Sequence, residues 1–237
     1  MTARVRNIRD AFADRLKQIE RSETGMLEII GASFIADSPT IFGRVNEDYV
    51  ARELAWYDAQ SLNVHDIPGG APPIWERVSA KSTELGHLRP GSINSNYGFL
   101  LYHRENGSQY ANVVDELHRD KHSRRAVAIY TRPTMHVDSV RDGMQDFVCT
   151  NAVHYTIRDD FLHVVVQMRS NDAIFGYRND YAWQKTVQQR LREDLLDRYP
   201  GLKLGVISWQ VANLHIYPRH FSLVQQFIET GRYDTDV

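Results

Sequence analysis

Cysteine is almost missing: Cys149 is the only one in 237 residues. One thiol can form neither an intrachain disulfide nor a cysteine-rich zinc site, and it fits a reducing compartment. No apolar run approaches the roughly 18 residues a membrane span needs. The N-terminal MTARVRNIRD is charged throughout and has no apolar centre, so a cytoplasmic protein without a membrane partner is expected. Excess charge of one sign is absent as well. Lys and Arg number 28 against 30 Asp and Glu, a net charge of -2, so no global field attracts DNA, RNA or anionic lipid and no nucleic-acid partner is expected. The ten histidines show no HxH or HExxH spacing, which argues against a metal. P-loop, GxGxxG and GxSxG patterns do not occur.

What is present suffices for a large core: 42% of the residues are hydrophobic and 11% aromatic. Val5, Ile8, Phe12, Leu16 and Ile19 recur at helical spacing, which predicts a helix over 3–20. MLEIIGASFIAD (26–37) reads as a buried strand, and 46–61 as a helix capped by Asn46. DIPGGAPP (66–73) is a loop and 81–96 a further connection. A short helix is expected over 110–120 and a strand over 124–132. Residues 147–156 and 161–169 form a strand pair turned by Arg158, Asp159 and Asp160. Trp183, Val187, Leu191 and Leu195 space a helix stopped at Pro200-Gly201, followed by a strand over 204–217 and a helix over 219–231. No repeat, low-complexity tract or linker interrupts the chain, so one α+β domain over 1–237 is expected.

Gln167 to Gln184 concentrates chemistry. Arg169 and Ser170 at a strand end offer a guanidinium fork and a hydroxyl to one anion. Asp172, a glycine turn at Gly176 and then Asp180, before the helical pattern, suit a pocket wall. Polar strand ends are common, and this spacing alone leaves a surface loop open. Cys149 is either a small buried hydrophobe or a nucleophile whose thiolate Arg169, on the adjacent strand, would favour. Glu53 in ARELAWY is either a solvated helical carboxylate or a buried acid with a partner. His215 and Tyr217 share one strand face and could be core residues. Arg124 and Arg125 are adjacent and point to opposite faces, so joint use on one ligand needs a loop or a second subunit. Trp75 and Tyr97 could be plain core aromatics.

Taken in order, Arg21, ELAWY with Glu53, IW with Trp75, NYG with Tyr97, SRR with Arg124 and Arg125, Cys149, QMRSND, Gly176 and LHIY with His215 and Tyr217 resemble the thymidylate synthase family from about residue 21 to about residue 225. The resemblance implies a large twisted mixed sheet flanked by helices and a homodimer formed through the sheet. It implies 5,10-methylenetetrahydrofolate as co-substrate. Cys149 would add to C6 of a pyrimidine nucleotide, and Glu53 would manage protons and water. Arg21, Arg169 and Ser170 would hold the 5′-phosphate, with Arg124 and Arg125 arriving from the partner subunit. His215 and Tyr217 would bind the sugar hydroxyl, and Trp75, Asp172, Gly176 and Glu53 would meet the folate.

Departures from the family pattern redirect the expected activity. Where the family carries Pro-Cys-His and Pro-Phe-Asn, this chain has Val148-Cys149-Thr150 and Arg178-Asn179-Asp180, and it ends in TGRYDTDV in place of a short apolar tail. A polar Asp146 near the nucleophile suggests better hydration of the reacting carbon. A carboxyl at 180 complements cytosine, which offers a bare N3 and an N4 amino group, where an amide complements uracil. The expected reaction is hydroxymethyl transfer to C5 of dCMP, with hydroxymethylation of CMP or 5-methylation of dCMP as alternatives. A catalytically silent nucleotide- or RNA-binding relative is disfavoured because Cys149 and Glu53 are both present.

Overall fold

The computed structural model describes residues 2–81 and 88–235. Its centre is a five-stranded mixed sheet ordered β1-β5-β4-β3-β2, made of β1 (Leu27–Ile35), β2 (Val127–Ile129), β3 (Thr150–Arg158), β4 (Phe161–Asp172) and β5 (Lys203–Ile216). β4 and β5 run parallel and the other neighbours antiparallel. Two long helices cover one face: α1 (Val5–Leu16) lies on β1, and α7 (Phe175–Asp194) lies on β4 and β5. Trp183, Val187 and Leu191 form the stripe that α7 buries. Around them stand α2 (Glu47–Asp58), α3 (Pro73–Val78), α4 (Tyr97–Tyr102), α5 (Gln109–Arg119), α6 (Met135–Asp138) and α8 (Phe221–Thr230).

The sheet bends at one level across four strands. Residues facing the helices should alternate with period two. Here the buried position steps by three residues from Ala32 toward Leu27 in β1 (with Ile29 next on that face), from Thr150 to Val153 in β3, from Met168 to Asn171 in β4 and from Val211 to Leu214 in β5. Gly31, at φ 67, supplies the left-handed residue at the bend in β1, whose register with β5 continues unbroken past it. Beyond the bend Asn171 turns inward and reaches helix α7. The bend is therefore what aims the polar ends of β3, β4 and β5 into one place.

Most expected elements are present, with instructive shifts. Asn46 caps α2, accepting from the Tyr49 amide at 3.0 Å. The helix expected over 3–20 stops at Leu16 and ends in a tight turn, Ile19–Arg21. Asp159 and Asp160, both at positive φ, close a two-residue hairpin, so Arg158 belongs to the strand. The polar run after Arg169 is no loop: β4 continues to Asp172, pairing with His215. Gly176 and Asp180 lie inside α7, and the strand expected over 124–132 is only Val127–Ile129. Gly98 permits a close approach of two chain segments, since a Cβ there would lie 1.7 Å from the Tyr57 carbonyl oxygen. The Asn96 amide ties the same turn to the Trp56 carbonyl at 3.0 Å. Part of the connection expected over 81–96, residues 82–87, lies outside the described residues.

Opposite the helices the sheet is uncovered. Ile30, Ile129, Phe161 and Val206 are exposed there, whereas Leu204 pairs with the helix-facing Leu162 ahead of a register shift between β4 and β5.

Candidate active site

Cys149 stands one residue before β3, half-buried, with its carbonyl accepting from the Arg169 amide of β4 at 3.0 Å. That pairing places the Arg169 guanidinium 3.6 Å from Sγ. Arg169 is held there by donating from Nε to the Val148 carbonyl (3.0 Å) and from Nη2 to the Phe147 carbonyl. Nη1 carries no bond among the described residues and is free to meet an anion. Burial pushes the thiol up to about 11, against which Arg169 favours the thiolate, while Asp180 and Asp146 oppose it.

Glu53 reaches the same space from α2 and is 5% exposed. Its Oε1 accepts from the Tyr49 hydroxyl at 2.8 Å and faces the Trp75 indole N–H at 3.4 Å, while that N–H also donates to Tyr49 at 3.0 Å. Desolvation raises its carboxyl to about 7. Asp180 is raised further, to about 8, by desolvation first and then by the Glu53 charge. Both carboxyls are thus held well above the ordinary range by burial, and the charge on Glu53 favours keeping the proton on Asp180.

Asp180 is oriented by a chain of donors. The buried Trp209 indole donates to Asn171 Oδ1 at 3.2 Å, which turns the Asn171 amide NH₂ toward Asp180 Oδ2 at 2.7 Å. Gly176 lies one helical turn before Asp180, and a Cβ there would sit 3.1 Å from Asn171 Nδ2 and 3.4 Å from Asp172 Cβ. Any side chain would press on the amide that holds Asp180. Tyr97, 4% exposed, packs beneath and accepts from the Thr150 hydroxyl at 3.0 Å.

On the same rim Asp172 pairs with His215 and Ser170 with Asn213. Asp172 Oδ1 accepts from the Ile174 amide at 3.0 Å, leaving Oδ2 without a bond among the described residues. His215 is buried, its ring 5.0 Å from that of Tyr217. Arg21 is exposed on the turn leading into β1. Arg124 and Arg125 are not brought to this place. They precede β2, whose Val127 pairs with His154 far along β3 from Cys149, and Arg125 is engaged with Glu116 at 3.0 Å.

Asp146 does not hydrate the site as the sequence suggested. It is 6% exposed and accepts from the Asn94 amide (2.6 Å), the Ser95 amide (2.8 Å) and the Ser95 hydroxyl (2.5 Å), so it anchors the 94–95 loop. Sequence reasoning also passed over Tyr49 and the role of Asn171. The signal for Tyr49 was its spacing, one helical turn before Glu53. Among the described residues no group of His, Cys, Asp and Glu is arranged to hold a metal ion.

A thiol beside a fixed guanidinium, two buried carboxyl groups with raised proton affinities and a half-buried indole suit addition to an electrophilic ring followed by proton transfer. The family model described as thymidylate synthase matches residues 7–235. This chain belongs to the thymidylate synthase family. It is 48% identical over 215 residues to the deoxycytidylate 5-hydroxymethyltransferases of Enterobacteria phage T4 and phage T2, covering 90% of this chain and 84% of each relative. Thymidylate synthase of Bacillus atrophaeus is 26% identical over 191 residues, 77% of this chain and 76% of that protein. Within the family, the larger identity thus falls on proteins that carry cytosine nucleotide chemistry in their name. The mixed sheet flanked by helices is the α+β architecture the resemblance implied. No helix among the described residues is long and apolar enough to cross a membrane.

Proposed function

We propose that this chain is a deoxycytidylate 5-hydroxymethyltransferase, converting dCMP, 5,10-methylenetetrahydrofolate and water to 5-hydroxymethyl-dCMP and tetrahydrofolate. The observation that carries the reading is Asp180, a buried carboxyl raised to about 8 and aimed by Asn171. In its protonated form it donates to cytosine N3 and accepts from the N4 amino group.

The Cys149 thiolate, favoured by Arg169, adds to C6 and makes C5 nucleophilic. The folate supplies the one-carbon unit that C5 takes up. Trp75 and Asp172 fit such a co-substrate, a half-buried indole for stacking and a carboxylate oxygen free to accept from a ring N–H, while Gly176 leaves room for the Asn171 and Asp172 side chains. Water then adds through oxygen to the exocyclic carbon, giving its proton to Glu53, and the C6–S bond breaks with its electron pair returning to sulfur. The two protons released, from C5 and from water, end on the two folate nitrogens that held the carbon.

Arg169 through Nη1 and Ser170 hold the 5′-phosphate together with Arg21, and His215 with Tyr217 bind the sugar hydroxyl. Arg124 and Arg125 complete the phosphate site of a partner subunit, and the uncovered sheet face with Ile30, Ile129 and Val206 is the surface two copies would share. A homodimer working in the cytoplasm is part of this proposal. A Cys149→Ala chain mixed with an Arg124→Ala, Arg125→Ala chain should regain activity that neither has alone, because one site of the mixed dimer is intact. Failure to complement would contradict a shared site.

Glu53→Gln should lower kcat roughly 10²–10⁴-fold. In the wild type, kcat/KM should rise through about pH 7 as Glu53 ionises and fall above about 8 as Asp180 loses its proton. The variant should lose the acid limb, and its alkaline limb should move to lower pH because the Glu53 charge no longer holds the Asp180 proton. The reading itself is tested by comparing kcat/KM for dCMP, CMP and dUMP. Preference for dCMP supports it, and preference for CMP selects the ribonucleotide alternative.

A further inference from the structure

We propose that Tyr49 is a positioning residue that ties one oxygen of Glu53 to the protein and so commits the other to the water consumed in the reaction. This rests on the hydroxymethyl transfer proposed above. The Trp75 indole can only donate, an ionised carboxylate can only accept, and a phenol can do one of each. With Trp75 Nε1 at 3.0 Å from the Tyr49 oxygen and that oxygen at 2.8 Å from Glu53 Oε1, only one direction is allowed. Trp75 donates to Tyr49, and Tyr49 donates to Glu53.

The consequence concerns where the proton sits. Because Oε1 accepts whether Glu53 is charged or neutral, a proton on Glu53 is directed to Oε2. That oxygen has no bond among the described residues and is not among the sealed, unpartnered atoms. Proton uptake from water and proton return therefore use the same open oxygen, with no rotation of the carboxylate between them. Tyr49 sits one turn before Glu53 on α2, with its ring under the Arg52 guanidinium at 5.4 Å, so its own position is set by the helix. The charged and titratable groups facing Glu53 are Tyr49 and Tyr57 on its own helix and Asp180 on α7, and the neutral Trp75 of α3 closes the remaining side.

Tyr49→Phe tests this by removing one oxygen and keeping the ring. Tyr49 stabilises the charged form of Glu53, so the acid limb of kcat should move to higher pH in the variant. At neutral pH kcat should fall about 10- to 100-fold, with KM for dCMP within about twofold because nucleotide contacts are untouched. A ¹³C-glutamate NMR titration of the wild type and of Tyr49→Phe, with the Glu53 signal assigned by Glu53→Gln, reads the same shift without turnover. An upward displacement of the Glu53 titration supports the positioning role, even if the wild type were to make a different product. Coincident titrations with unchanged kcat would overturn it. Absence of hydroxymethylated product from the wild type would instead overturn the function on which the proposal rests.

Discussion

Asp180→Asn should turn the enzyme from dCMP toward dUMP. In the wild type the Asp180 carboxyl takes a hydrogen bond from Asn171 on Oδ2 and keeps its own proton up to about pH 8, mainly through burial. It therefore shows the base one donor and one acceptor, in the order cytosine needs. An amide at this position still satisfies Asn171 through its oxygen, and presents the order uracil needs. A donor facing a donor in a buried site costs about 1–3 kcal/mol, and the substitution both removes a match with cytosine and creates one with uracil. The ratio of kcat/KM for dUMP over dCMP should rise about 10²–10⁴-fold on that basis. The alkaline limb assigned to Asp180 should vanish in the same variant. An unchanged ratio would mean that another group reads the base.

Cys149→Ser should abolish turnover while leaving nucleotide binding in place. Among the described residues no carboxylate or imidazole is hydrogen-bonded to the Cys149 side chain, and Arg169 at 3.6 Å favours a thiolate through charge, a help that a far less acidic hydroxyl cannot use. Intact mass of acid-quenched wild type with dCMP and folate should show a nucleotide adduct that is missing from Cys149→Ser. Thermal stabilisation by dCMP should persist in the variant, since the phosphate contacts proposed for Arg169 and Ser170 do not involve sulfur. An active Cys149→Ser enzyme would remove covalent addition from the account.

How far the sequence carried the argument depended on the range of the forces involved. α2 and its Asn46 cap were legible because a helix announces itself within one turn. Cys149 and Arg169 could be paired in advance because two neighbouring strands joined by a short turn must place such residues side by side. The extension of β4 through Ser170, Asn171 and Asp172 was hidden, because its partner is β5 from farther along the chain and the bend breaks the alternation that marks a strand. The same bend explains why Asn171 escaped notice: its work depends on Trp209, a residue on another strand. Asp146 misled for a related reason. A carboxylate near a nucleophile in sequence suggests a wet site, yet three donors from the 94–95 loop bury it. Arg124 and Arg125 show the other limit, since within one chain they lie away from Cys149 and any joint site with it requires a second copy.

The measurement that bears most directly on the central claim is the product of the wild-type protein with dCMP and 5,10-methylenetetrahydrofolate, followed by mass spectrometry with dihydrofolate absorbance recorded in the same reaction. The account predicts a nucleotide heavier than dCMP by one CH₂O unit, about 30 Da, with oxygen drawn from labelled water and no dihydrofolate formed. A methylated nucleotide accompanied by dihydrofolate would contradict it, because the final reactant would then be hydride and not the water that Glu53 is placed to activate.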